Sequence, residues 1–277
     1  MLRNAIGAVV ILVLAIICVA QTPSAPSSPL SPLSPSSSSP PADPRGVIRL
    51  RVRVRADEST KGLSRKRFFL IKGSPEQNKS VIQAIEQQPV LARDCYYQRA
   101  GASEALIKWL KEGDCESVYC REVQPADIEG SDAVPEFLKA LAAGEKEFGS
   151  RQFALKWLTV NLPENLRDGF YKNRQSELGA LIKQAEAASG AKVLSVMTDR
   201  NGTAYFTDLE PGTYTLSNIL ATEIGSAGAN WNCEVKVKPG DLATEKPFLI
   251  SNRANKDKNV KCFAMEKPLP VCVPAPK

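Results

Sequence analysis

The chain of 277 residues contains no histidine. Histidine is the side chain whose proton affinity lies near neutrality, and it supplies most general bases and many zinc ligands. Its absence removes Ser-His-Asp and Cys-His nucleophile systems, together with the usual zinc centres of metallopeptidases. There is no phosphate-cradling P-loop and no Gly-rich dinucleotide fingerprint, since Gly144, Gly149 and Gly169 are scattered. No cofactor and no metal are expected. Charge of one sign is also lacking. The 36 Lys+Arg face 30 Asp+Glu, for a formal net charge of +6, too even a balance to argue for nucleic acid. Aromatic residues make up only 6% of the chain.

The one long apolar run, Ala5 to Ala20, follows a single cation at Arg3 and ends on a small residue. It is short for a membrane span and reads as a secretory signal peptide over 1–20; an uncleaved N-terminal anchor is the alternative and would be the chain's only membrane association. Residues 21–45 hold eight prolines and many serines with no apolar periodicity, a semi-rigid spacer that cannot build a core. The expected location is secreted or periplasmic, in the cell envelope. Beyond the leader lie six cysteines, Cys95, Cys115, Cys120, Cys233, Cys262 and Cys272. An even number in an exported chain implies a disulfide framework. Cys233 with Cys262 would join two predicted strands. Cys95 is assigned to Cys115 or Cys120, which leaves Cys272 the remaining partner. The four residues between Cys115 and Cys120 differ from the C-x-x-C of thiol oxidoreductases, and no second pair completes a zinc site, so a structural disulfide fits that pair better than redox or metal chemistry.

The stretch that organises the chain is Val193 to Leu220. An apolar β-branched run is followed by Asp199-Arg200-Asn201-Gly202, whose Asn-Gly suits a tight hairpin turn. Thr203 to Thr207 alternates, with Ala204 and Phe206 on one face. Glu210-Pro211-Gly212 is a second turn with glycine in the left-handed position, and Thr213 to Leu220 opens the next strand. Strand, turn, strand, turn, strand predicts an antiparallel meander. Asp199 to Gly202 lacks the third acidic position and downstream Glu of a calcium loop. The residues Thr198, Asp199, Gly202, Ala204, Phe206, Leu209, Pro211, Gly212, Thr213, Tyr214 and Leu216 form a pattern that resembles the carboxypeptidase regulatory-like (transthyretin-like, prealbumin-like) β-sandwich family. That resemblance implies a non-catalytic accessory module of secreted and envelope proteins, and nothing matches a carboxypeptidase's catalytic domain.

Upstream, Ile48, Leu50, Val52 and Val54 alternate with Arg49, Arg51, Arg53 and Arg55, a strand with an apolar and a cationic face. RFFLIK, Arg67 to Lys72, is a second strand. Downstream, Asn230 to Lys238 places Trp231, Cys233, Val235 and Val237 on one face, Lys246 to Ile250 returns, and Val260 to Glu266 is the last strand. The β-sandwich is thus expected over 46–73 and 191–267, with a Pro-rich tail over 268–277.

Residues 74–190 carry helical periodicity instead. Ser74-Pro75-Glu76-Gln77 reads as the start of a helix through Val81, Ile82 and Ile85 to about Gln88. Ser103 caps a second with Leu106, Ile107 and Leu110, ended by Gly113. Val134, Phe137, Leu138 and Leu141 mark a third, and Phe153, Trp157 and Leu158 a fourth. A fifth runs from Asn161-Pro163 through Leu166, Phe170, Leu178, Leu181, Ile182 and Ala185 to Ser189-Gly190. The fold class is α+β, an antiparallel sandwich of transthyretin-like or Ig-like type interrupted by an α-helical insertion long enough for a small core.

These features point to a non-catalytic binding or structural module whose partner is a protein or carbohydrate of the cell surface. Arg49, Arg51, Arg53 and Arg55 are a candidate stripe for an anionic ligand, set against an outer face that is merely solvated. Tyr96, Tyr97, Trp109, Tyr119, Trp157, Phe170 and Tyr171 form a recognition surface only if exposed together. Paired carboxylates in the insertion, acting as a hydrolase of cell-surface polymer, are the alternative; a domain that serves only as a spacer is a third. Asn78-Lys79-Ser80 and Asn201-Gly202-Thr203 match the N-glycosylation pattern.

Overall fold

A computed structural model describes residues 45–56, 59–240, 246–252 and 262–272. The expected signal peptide, nearly all of the spacer and the last five residues of the tail lie outside these.

The described chain is mixed α and β, with two antiparallel-rich sheets. Sheet A is built on β1 (Gly46–Ala56), with β2 (Ser59–Gly62) and β5 (Thr203–Leu209) antiparallel to it and β9 (Phe248–Ser251) parallel to it. Sheet B runs β10 (Cys262–Pro268), β8 (Ala227–Val237), β6 (Gly212–Ser217), β3 (Arg67–Lys72), β4 (Leu194–Met197), with the short β7 (Thr222–Ile224) also on β8. Strand periodicity of two dictates the core between them. Ile48, Leu50, Val52, Val54, Ala204 and Phe206 of sheet A meet Phe68, Leu70, Tyr214, Leu216, Trp231, Cys233 and Val235 of sheet B.

Phe69 and Ile71 point the other way and are also buried, against Val81 and Ile85 of α1 (Lys79–Gln87) and Leu181 and Ala185 of α7 (Gly169–Ser189). The uninterrupted Phe-Phe-Leu-Ile run therefore belongs to a strand covered on both faces. Between α1 and α7 lie α2 (Arg93–Arg99), α3 (Glu104–Glu112), α4 (Pro135–Phe148), α5 (Arg151–Lys156) and α6 (Glu164–Arg167). They share a second core of Tyr97, Leu106, Leu110, Phe137, Leu158 and Phe170, with Trp109 packed edge-on against Phe137 at 5.1 Å. Ser103 Oγ accepts from Leu106 N at 3.2 Å as the cap of α3 and donates to Glu136 of α4 at 2.7 Å.

Several local expectations are corrected. The Asn201-Gly202 turn does not join a hairpin: β4 pairs with β3 in sheet B, and β5 pairs with β1 in sheet A. A type I′ turn needs positive φ at both central residues, yet of the two only Gly202 has it, at +77°. Asp199 instead shapes a sheet-crossing corner, its Oδ1 accepting from Asn201 N and Thr203 N at 2.8 Å each. The second turn also crosses sheets. Gly212 sits at φ +155° rather than in the left-handed region, which Asp208 occupies at +57°. Tyr214 OH donates to Glu210 O at 2.8 Å and ties this corner down. β9 returns to β1 in parallel, across the sandwich from its predecessor β8.

Ser74 to Gln77 forms a reciprocal side-chain-to-backbone turn, Ser74 N to Gln77 Oε1 at 2.8 Å and Gln77 N to Ser74 Oγ at 3.3 Å, and α1 starts only at Lys79. The fifth helix divides into α6 and α7 at Asp168. The segment taken for a fourth helix buries Ala154 and Leu158 and leaves Phe153 and Trp157 exposed. The disulfides are Cys233–Cys262, Cys115–Cys120 and Cys95–Cys272. The first joins facing positions of β8 and β10, and Cys95 reaches the tail rather than Cys115 or Cys120.

Gly202 also touches the neighbouring strand: a Cβ there would lie 2.3 Å from Val52 O. Gly101, at φ +83°, has nothing within 4 Å of the same position. Gly101→Ala is expected to cost only the left-handed conformation, ~1–2 kcal/mol. Gly202→Ala is expected to cost clearly more, because backbone must also move. Urea unfolding of both variants checks this, and equal losses would contradict the corner geometry.

Candidate functional site

The arginine strand lies at the centre of sheet A. Its apolar partners face the core, so the four guanidiniums project from the outer face at intervals of about 6.7 Å, the two-residue repeat of a strand. Cross-strand register sets Tyr205 opposite Arg49, Thr203 and Leu249 opposite Arg51, Ser251 opposite Arg53 and Thr60 opposite Arg55. Tyr205 and Leu249 are about half exposed, and no helix of the described chain packs on this face. Asn252 fixes the end of the row, accepting from Arg55 N at 2.9 Å and donating to Arg55 O at 3.0 Å.

Among the described residues, Arg49, Arg51 and Arg53 form no ion pair. Asp208, the acid at the end of β5, is taken by Arg45 at 3.4 Å. The Nε of Arg49 and of Arg51 are shielded from solvent without a hydrogen-bond partner. The row is a flat cationic surface flanked by an aromatic and an aliphatic side chain.

The aromatic residues of the insertion do not assemble into one surface. Tyr97, Trp109 and Phe170 are core. Tyr171 is half exposed on α7 beside sheet B, whereas Tyr119 lines a groove with Leu155 and Leu158. Phe153, Leu155, Trp157 and Val160 are exposed along α5 and the turns after it. The sequence marks a helix by Phe153, Trp157 and Leu158; the short α5 and the turn after it bury Ala154 and Leu158 and leave Phe153 and Trp157 outside.

Asp114 and Glu116 do share a cleft, the arrangement a carboxylate hydrolase needs. Each is already engaged by a cation: Lys66 Nζ is 2.6 Å from Asp114 and Arg174 Nε 3.4 Å from Glu116. Among the described residues no cluster of three Cys, Asp or Glu is placed to hold a metal ion, and no helix is long and apolar enough to cross a membrane. Asn78 is buried, its Nδ2 donating to Lys72 O, Ser74 O and Thr215 Oγ1, so that glycosylation pattern is structural. Asn201 is exposed.

No protein-family model, curated protein or solved structure matches the chain.

Like charges in one row repel one another, and two of the Nε groups lack partners, so the row does not repay its presence in stability. Arg51→Gln with Arg53→Gln is expected to leave the unfolding free energy unchanged or raise it at low salt, by no more than ~1 kcal/mol, with the difference gone in high salt. A marked loss of stability would show that the row is held for packing.

Proposed function

We propose that the chain is a non-catalytic, exported binding module that presents the arginine row of sheet A to an acidic polysaccharide of a cell surface. The observation that carries this reading is the row itself: Arg49, Arg51, Arg53 and Arg55 on an open sheet face, with no acid among the described residues paired to the first three. Guanidinium forks suit carboxylate and sulfate groups, and a repeating anion along an extended chain matches a repeating cation along a strand. Tyr205 supplies a ring face beside Arg49 for a sugar. The two-sheet architecture, with Thr198, Tyr214 and the Pro211-Gly212 corner at sheet crossings, supports a transthyretin-like, carboxypeptidase regulatory-like origin for the scaffold. Three disulfides are compatible with an oxidising compartment. A protein ligand is the other member of the same class, with the exposed Phe153, Leu155 and Trp157 as its natural contact.

The test is retention on immobilised polyuronate and sulfated polysaccharide, with a neutral glucan as control. Retention is expected on the acidic polymers alone and should fall steeply as salt rises past ~0.15 M, where screening shortens to ~8 Å. Replacing all four arginines by glutamine is expected to abolish it. Binding that survives this variant, or equal binding to the neutral glucan, would overturn the assignment.

A further inference from the structure

The helical insertion meets sheet B around a cleft of about 180 Å³. This is smaller than the roughly 300–1,000 Å³ of drug-sized pockets, which limits its occupant to a small molecule or one unit of a longer chain. Five separate segments build it. α7 contributes Tyr171, Arg174, Gln175 and Leu178, spaced i, i+3, i+4 and i+7 and so on one helix face. The turn into β3 contributes Arg65, Lys66 and Arg67, the loop after α3 contributes Asp114 and Glu116, and Phe69, Leu220 and Thr222 are its buried lining.

The charges divide by depth. Lys66 is only 17% exposed, and Asp114 lies between it and the buried Arg93, at 2.6 and 3.9 Å. Glu116 is paired with Arg174. Both acids of the cleft are therefore matched by cations beneath or beside them, while Arg65 and Arg67 remain in surplus at the exposed rim. Among the described residues the Arg65 side chain makes no hydrogen bond or ion pair, and Arg67 reaches only Ser195 Oγ, at 3.4 Å. The same cleft is lined by Leu178, Tyr171 and the half-exposed Met197, which is the cross-strand partner of Arg67.

The backbone is bent to put the rim there. Arg65 and Asp114 are two of four described non-glycine residues with positive φ, at +54° and +50°. Such conformations persist only where neighbours enforce them. At Arg65 the enforcer is the buried Thr198. Its carbonyl accepts from Arg65 N at 3.0 Å, and its hydroxyl donates to Leu63 O at 2.6 Å and accepts from Lys66 N at 3.0 Å.

We infer that this cleft binds a small organic carboxylate, its acid group on Arg65 and Arg67 and its body against Tyr171, Leu178 and Met197. The site is independent of the arginine row, which lies on the outer face of the other sheet. A wall of this kind distinguishes the inferred ligand from a bare oxyanion: charge alone would not use Tyr171 or Met197, and a neutral body would not use the arginines.

The experiment is NMR titration of the ¹⁵N-labelled full chain with D-glucuronate and with N-acetyl-L-leucine, the sugar-acid and amino-acid forms of this chemistry. D-glucose, N-acetyl-L-leucinamide and inorganic phosphate serve as comparisons. At least one acid is expected to saturate shifts centred on Tyr171, Arg174 and Met197, and whichever does so names the source. Its neutral counterpart should bind about tenfold more weakly or worse, the loss of one charge-assisted contact, and inorganic phosphate should also bind about tenfold more weakly, because it keeps the charge and lacks the apolar body. Arg65→Gln with Arg67→Gln, and separately Tyr171→Ala, should each weaken the acid by a similar factor, whereas Arg51→Gln with Arg53→Gln should not. Arg65, Arg67, Tyr171 and Arg53 are exposed and Arg51 is partly exposed, and the unchanged remainder of each spectrum reports that the fold is retained. The inference is overturned if neither acid saturates, if phosphate or a neutral counterpart binds as well, or if both cleft variants bind like the parent chain.

Discussion

The structure depends on β3 being buried on both faces. Phe68 and Leu70 close the core between the sheets, while Phe69 and Ile71 on the same four-residue run need a cover of their own. Leaving two large apolar side chains in water forgoes ~1.5–3 kcal/mol each, so the face cannot stay bare. The chain answers by leaving the sheet directly after β3 and returning through α7 to β4, which pairs with β3 itself. First and last helices of the insertion thus pack on the strand they interrupt. Lys267 of β10 secures the arrangement, donating to Ile85 O and Gln88 O at the C-terminus of α1, at 2.9 and 2.7 Å. A cation there also faces the negative end of the helix.

What was legible in the sequence is what short-range physics determines. Alternation in β1, β5 and β8 names the correct inward residues, and the Ser103 cap and Gly113 bound α3 because both signals act within one turn. What was not legible is set by distant partners. α2 has alanine in its cap position, and Arg93 N at its start is satisfied by Glu223 Oε1 at 2.9 Å, 130 residues later. Nothing near Arg93 announces a helix. The two crossing corners read as hairpins for the same reason. Their local residues specify reversal, whereas the sheet each arm joins is decided by β1 and β3 far upstream. Cys95 paired with Cys272 rather than a nearer cysteine because the tail passes α2, with Pro270 beside Tyr96 and Arg99.

The candidate sites differ in the same way. The arginine row was visible as a pattern, since a strand converts sequence alternation directly into a face. Whether acids oppose it depended on register, and the pairing of β1 with Thr203, Tyr205, Leu249 and Ser251 shows that none does among the described residues. The cleft had no such pattern. Tyr171, Arg174, Gln175 and Leu178 hold helical spacing, but the partners that complete the cleft come from four other segments, and Arg65 to Arg67 stood out only as extra charge near a strand.

Of the residues that carried the family resemblance, Ala204, Phe206, Leu209 and Leu216 are core, and several of the others turn corners. Thr198 clamps the Arg65 turn through side chain and carbonyl, Asp199 and Gly202 shape one crossing, and Tyr214 ties down the other. Each is demanded by the backbone path, whatever the protein binds. None of them contacts the arginine row, and only Thr198 bears on the cleft, through the backbone it enforces. A signature made of core and corner residues specifies a scaffold and is silent about its cargo. The residues proposed to bind ligand lie on the outward half of β1, on the rim of β3 and on α7, where the signature leaves side chains free to differ. That division is a physical one: side chains committed to buried hydrogen bonds cannot also be varied to suit a ligand, so recognition is left to solvent-facing side chains beside them, Arg65 included, whose backbone Thr198 holds while its guanidinium stays exposed.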